Sequence, residues 1–158
     1  MVGKMSIDEA EILSGYWYLH PKAQREVQDY LRYLLCKQYQ REVKLTVFNN
    51  RLLHNLFQNL LSVVEKEDFD IGMAERRIAE IKEIYYGLFE QVHQKYSEFV
   101  CELDSNEIVR EFGRNAFENV GQAMRGGNLL VIRLEIIDFY QDYCKLSQNK
   151  ELRQIIAV

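Results

Sequence analysis

From Ile71 to Phe99 apolar residues return every three or four positions without a lapse: Ile71, Ala74, Ile78, Ile81, Tyr85, Leu88, Val92, Tyr96 and Phe99. That period lines them up on one face of a helix of roughly eight turns. A seam so long cannot be covered by its own helix. It needs another long helix beside it, and the natural arrangement is an antiparallel hairpin with coiled-coil-like packing.

The chain supplies one upstream. Val27, Leu31, Leu34, Leu45, Phe48, Leu52, Leu56 and Val63 keep the same spacing, interrupted at Gln38 and Arg41. The run fits one helix over 21–65, or two that meet at Asn49-Asn50, since Asn can end one helix or cap the next. The continuity of the stripe favours a single helix, kinked near 49–50. A single proline and eight glycines, among abundant Leu, Ile, Glu, Gln, Lys and Arg, leave few helix breakers in 158 residues. These features predict an all-α fold: one domain, a bundle of four to five helices built around the long hairpin.

Punctuation marks the remaining boundaries. Ser6 with Glu9 has capping-box spacing and Gly15 reads as a stop, so a short helix is expected over 6–14. Pro21 suits a first helical turn, where its missing N–H would have no partner. Asp70 reads as the cap of a helix over 70–101, and Asp104 or Ser105 as the cap of one over 105–125 that carries Ile108, Val109, Phe112, Phe117 and Val120. Gly126-Gly127 ends that helix, and Asn128 caps a last one over 128–146, dense enough in apolar residues to suggest burial on more than one face. A tail over 147–158 follows.

Charge is uneven. Residues 22–51 hold seven Lys/Arg against three Asp/Glu, and residues 65–118 hold seven against fourteen. Complementary regions of this kind can join helices or protomers. Lys22, Arg25, Arg32, Lys37, Arg41, Lys44 and Arg51, interleaved with Tyr30, Tyr33 and Tyr39, raise nucleic acid as a partner. The cations do not share one helical face, however, and no DNA-reading motif accompanies them. Cys36, Cys101 and Cys144 form neither a disulfide framework nor a zinc pattern, and no stretch reads as a signal core or membrane span, so a cytoplasmic protein is expected.

No catalytic, cofactor-binding or metal-ligating set emerges. Glu90-x-x-His93 has the spacing of a carboxylate-bridged metal bundle, but His54 has Arg51 where the second motif needs Glu. Nucleophile elbows and phosphate loops are missing too.

"LHPKAQREVQDYLRYLLCKQYQ" resembles the helix that follows the helix-turn-helix of Xre-type bacterial repressors, through Pro21, Val27, Tyr30, Leu31, Leu34 and Leu35. The likeness covers about 20 residues and comes without the DNA-reading domain. What it implies is self-association or partner binding by this helix.

The expectation is therefore a non-enzymatic homodimeric module in a regulatory or adaptor role, with Tyr16, Trp17, Tyr18, Val27, Leu31 and Leu34 at its interface. At least one of the three adjacent aromatics must point away from the core. The alternative is a sensor of an apolar small molecule or haem, with a pocket formed by Phe89, His93, Tyr96, Phe117 and Phe139.

Overall fold

A computed structural model describes residues 5–99 and 107–147. Within them the chain is an all-α bundle of six helical segments: α1 Ile7–Tyr18, α2 Pro21–Phe48, α3 Arg51–Val64, α4 Ile71–Tyr96, α5 Glu107–Gly126 and α6 Leu129–Ser147. Counting α2 and α3 as one bent helix makes five. Cys101, the caps expected at Asp104 or Ser105, the side chains of Ile108 and Val109, and the tail beyond Ser147 lie outside the described residues.

The local signals act as their chemistry requires. Ser6 and Glu9 close a capping box, the Ser6 hydroxyl accepting from Glu9 N–H and the Glu9 carboxylate from Ser6 N–H. Asp70 accepts from Gly72 N–H at 2.9 Å, and Asn128 from Leu130 and Val131. Gly127 ends α5 at φ 74°, the left-handed conformation for which glycine is suited.

The α2–α3 run packs against α4 in the antiparallel sense: Tyr39 meets His93 and Tyr96, while Phe48 meets Tyr85. On α3, His54 faces Tyr143 and Phe57 faces Phe139, so α6 runs antiparallel to it. α5 closes the bundle by laying Phe117 on Tyr85 and on Phe139. Its approach to α4 is close: a Cβ at Gly113 would stand 2.7 Å from Tyr85 Cε1, so no side chain fits there without displacement.

Four expectations need correction. First, α1 runs through Gly15 to Tyr18. Gly15 sits in open space, and the helix ends only where Leu19 and His20, ahead of Pro21, turn to extended backbone; a residue before proline is driven out of the α region. Second, the run over 21–65 bends at the expected place, 49–50, but there the helix is interrupted rather than continuous, α2 ending at Phe48 and α3 starting at Arg51. Asn49 is the C-cap of α2, and the Asn50 side chain caps α3 by accepting from Leu53 N–H at 3.1 Å. The carbonyls this break leaves open are taken from a distance: Tyr143 donates to Val47 O at 2.6 Å, and His54 Nε2 donates to Phe48 O at 3.1 Å.

Third, the helix expected over 70–101 ends at Tyr96, and Phe99 is exposed. Fourth, α6 buries one stripe, Ile132, Ile136, Phe139 and Tyr143, and leaves Leu130, Val131 and Leu134 exposed.

The α2 core stripe also differs from the one with the clearest sequence pattern. The fully buried residues are Tyr39, Val43, Val47 and Phe48, continued by Leu53, Phe57, Leu60 and Val64, so that of the expected α2 stripe only Phe48 is fully buried. Val27, Leu31, Leu34 and Leu52 point to solvent.

Candidate interaction surface

α2 carries two apolar faces, and among the described residues only one packs into the bundle core. Its 28 residues span about 42 Å, yet none before Tyr39 is buried. α1 has no buried residue at all. The two touch near their junction, where Gln24 Nε2 donates to Tyr16 O at 3.1 Å and Gln28 Nε2 to the Tyr16 hydroxyl at 2.5 Å. Together they form an arm projecting from the bundle.

Of the three adjacent aromatics, Tyr16 is half-buried by these bonds and by the edge of Trp17, 5.2 Å away between ring centres. Trp17 is 72% exposed and Tyr18 89%. Val27, Leu31 and Leu34 are 44%, 56% and 44% exposed. All six residues expected at the interface therefore lie on the arm, five of them open to solvent. Exposed apolar residues in this number on one pair of helices point to an interaction site.

The base of the arm is polar. Tyr96 donates to Glu42 Oε2 and accepts from Gln38 Nε2 at 2.9 Å, and Lys95 Nζ donates to Glu42 Oε1 at 2.9 Å. Partial burial raises the Glu42 carboxyl, but the hydrogen bonds from Tyr96 and Lys95, with the Lys95 charge, outweigh it and leave the carboxyl below its ordinary value. Tyr96 is pushed up, by burial first and then by its bond to Glu42. This network anchors the lower half of α2 on α4. Beside it a groove of 750 Å³ runs along the outer side of α2, lined by Tyr30, Tyr33, Leu34, Lys37, Gln38, Arg41, Glu42 and Leu45.

Sequence reasoning missed the groove because Gln38 and Arg41 read as interruptions. The signal was nonetheless present, since the spacing that carries Val27, Leu31 and Leu34 continues through both to Leu45.

The residues expected to form a ligand pocket fall into two clusters. Phe117 and Phe139 pack edge to face at 5.0 Å. Phe89 stacks on His93 at 6.0 Å, and the Tyr39 ring bridges His93 and Tyr96. Among the described residues no ring contact joins one cluster to the other. An open cleft of 270 Å³ lies beside Phe89, with Tyr86, Glu90, Arg110 and Arg114 around it.

His93 Nδ1 is 3.1 Å from the Tyr39 hydroxyl, whereas Glu90 is exposed. Among the described residues no three His, Cys, Asp or Glu are grouped to hold a metal. The basic ladder also loses a member: Tyr39 is fully buried, while Tyr30 and Tyr33 stay exposed and stacked at 6.3 Å. No described helix is long and apolar enough to cross a membrane.

Comparison with protein families, with curated proteins and with solved structures gives no match. The geometry of the arm therefore carries the functional reading unaided.

Proposed function

We propose that this chain is a non-enzymatic cytoplasmic interaction module that self-associates as a homodimer through its α1–α2 arm and acts in a regulatory or adaptor role. The supporting observation is the arm's unpartnered apolar surface. Trp17, Tyr18, Tyr30 and Tyr33 are 72%, 89%, 62% and 51% exposed. At about 200 Å² per aromatic side chain, these four alone offer about 550 Å², against roughly 800 Å² per partner in a stable interface. Ile12, Leu13, Val27, Leu31 and Leu34 add to it. The segment that resembles the dimerising helix of Xre-type regulators contains the exposed Val27, Tyr30, Leu31 and Leu34 of α2.

Light scattering and sedimentation between about 1 and 100 μM test the reading, a range that brackets micromolar dissociation constants. Dimer should form with rising concentration, and Leu31→Asp with Leu34→Asp should abolish it while the helical circular dichroism persists. Trp17, the only tryptophan, should move its emission to shorter wavelength on dilute-to-concentrated titration. A strict monomer over the whole range would refute self-association.

A further inference from the structure

The exposed face of α2 has the spacing of a coiled-coil seam. Gln24, Val27, Leu31, Leu34, Gln38, Arg41 and Leu45 follow one another at alternating intervals of three and four, so they occupy the a and d positions of a heptad pattern, starting with Gln24 at a. The flanking g positions are then Tyr30, Lys37 and Lys44, and the e positions Gln28, Leu35 and Glu42. Of the residues that line the 750 Å³ groove, Tyr30, Leu34, Lys37, Gln38, Arg41 and Leu45 fall at a, d or g, and Glu42 at e. The groove is thus the row of holes of a seam whose knobs are missing.

Resting on the reading of the arm as a self-association element, we infer that the occupant is α2 of a second copy, lying parallel to the first about a twofold axis. Charge complementarity selects that direction. In a parallel pair a g residue faces the e′ residue five positions on in the partner. Lys37 therefore meets Glu42 of the other protomer, and symmetry makes the pair twice.

Both ends of this contact are available. Lys37 Nζ lies 4.8 Å over the Tyr33 ring of its own helix, and both residues line the groove. Glu42 already accepts from Lys95 and Tyr96, but a carboxylate has about four lone-pair positions, enough for another donor. An antiparallel pair would instead oppose g to g′ and e to e′, so that Lys37 could face only Ala23, Tyr30, Lys37 or Lys44 of the partner, with no acid opposite it in any register.

The seam is not uniformly favourable. Gln24 at a is half-buried and bonded to Tyr16 O of α1, Gln38 at a is tied to Tyr96, and Arg41 at d faces its own copy, so its head must turn outward to water along its aliphatic stem. Those three positions lower affinity and hold the register, as polar residues in seams do. The apolar grip comes from Val27, Leu31, Leu34 and Leu45.

The test uses the full-length chain. Lys37→Glu should weaken dimerisation about tenfold, as two modest attractions become repulsions. A chain carrying Glu42→Lys with Lys95→Glu keeps its internal ion pair in reversed sense and should be weakened similarly. Mixed one to one, the two variants should dimerise as tightly as the parent. In a chain whose Cys36, Cys101 and Cys144 are replaced by Ser, Val27→Cys should form a disulfide with its copy on oxidation, because like d positions meet only in the parallel pair. A dimer that ignores Lys37→Glu and fails to cross-link at residue 27 overturns the parallel register and leaves arm-mediated association standing. A chain monomeric to about 100 μM, a concentration well above micromolar dissociation constants, overturns both.

Discussion

Replacing Gly113 by alanine separates packing from helix propensity in one measurement. In an exposed helix interior, Gly→Ala stabilises by about 0.4–1 kcal/mol, mainly by restricting the unfolded chain. Gly121, on the same helix, has nothing within 4 Å of the point where an alanine Cβ would stand and should show that gain. At Gly113 the added Cβ would lie 2.7 Å from Tyr85 Cε1 and 3.2 Å from Tyr85 Cζ and from the Tyr86 hydroxyl. Carbon atoms rest about 3.5–4.0 Å apart, so α5 or the Tyr85 ring must yield by about 0.8 Å.

The ring has little freedom to do so. Tyr85 is fully buried, held edge-on by Phe48 and Phe117. Overpacking of this kind costs about 1–3 kcal/mol, which offsets and exceeds the propensity gain. Gly113→Ala should therefore be less stable than Gly121→Ala by about 1–3 kcal/mol, or ~2–12 °C in Tm for a domain of this size. Urea and thermal unfolding followed by circular dichroism give the comparison. Equal stabilisation by the two substitutions would show that α4 and α5 pack more loosely than these distances require.

Tyr143→Phe removes the only described donor to the buried Val47 carbonyl and should cost about 1–3 kcal/mol in urea unfolding, with the α2–α3 break the first region to lose amide protection. Arg133 donates to Val64 O at 2.5 Å and Lys66 O at 2.7 Å, closing the end of α3; Arg133→Met should lower stability by about 1–2 kcal/mol while leaving the helical content of the folded state unchanged. The Glu42 carboxyl is held below its ordinary value when folded, so its contribution is present above the unfolded value, near 4.5, and is lost as pH falls through the folded one. Glu42→Gln should accordingly flatten the acid limb of a Tm-against-pH curve. Burial pushes the Tyr143 and Tyr85 hydroxyls above the usual tyrosine range of about 10, so stability should fall as pH rises past that value, and less steeply in Tyr143→Phe.

Much of the architecture was legible in the residues. The uninterrupted stripe of α4 describes a helix whatever surrounds it, and Ser6, Asp70, Gly127 and Asn128 act through bonds to atoms two or three residues away. The break at Asn49-Asn50 was only half legible. Asn50 can cap from local chemistry, but whether α2 stops there depends on who receives its last carbonyls, and Tyr143 is 96 residues distant. Gly15 misled because glycine permits a helix end without requiring one, and the residues before Pro21 were the stronger constraint.

The interaction surface shows the same division. Sequence determined by itself that α2 would bear apolar residues at helical spacing, that Trp17 and its neighbours could not all be buried, and that the fold would be all-α, since period, propensity and caps are properties of neighbouring residues. Tertiary structure alone decided which face of α2 became core. Tyr39, Val43 and Val47 won against the regular Val27–Leu31–Leu34 series because α4 and α6 bring ring contacts and a hydroxyl to that side, at the lower half of the helix. Burial is a property of what arrives from elsewhere in the chain, and among the described residues the first half of α2 receives little beyond the bonds of Tyr16 to Gln24 and Gln28.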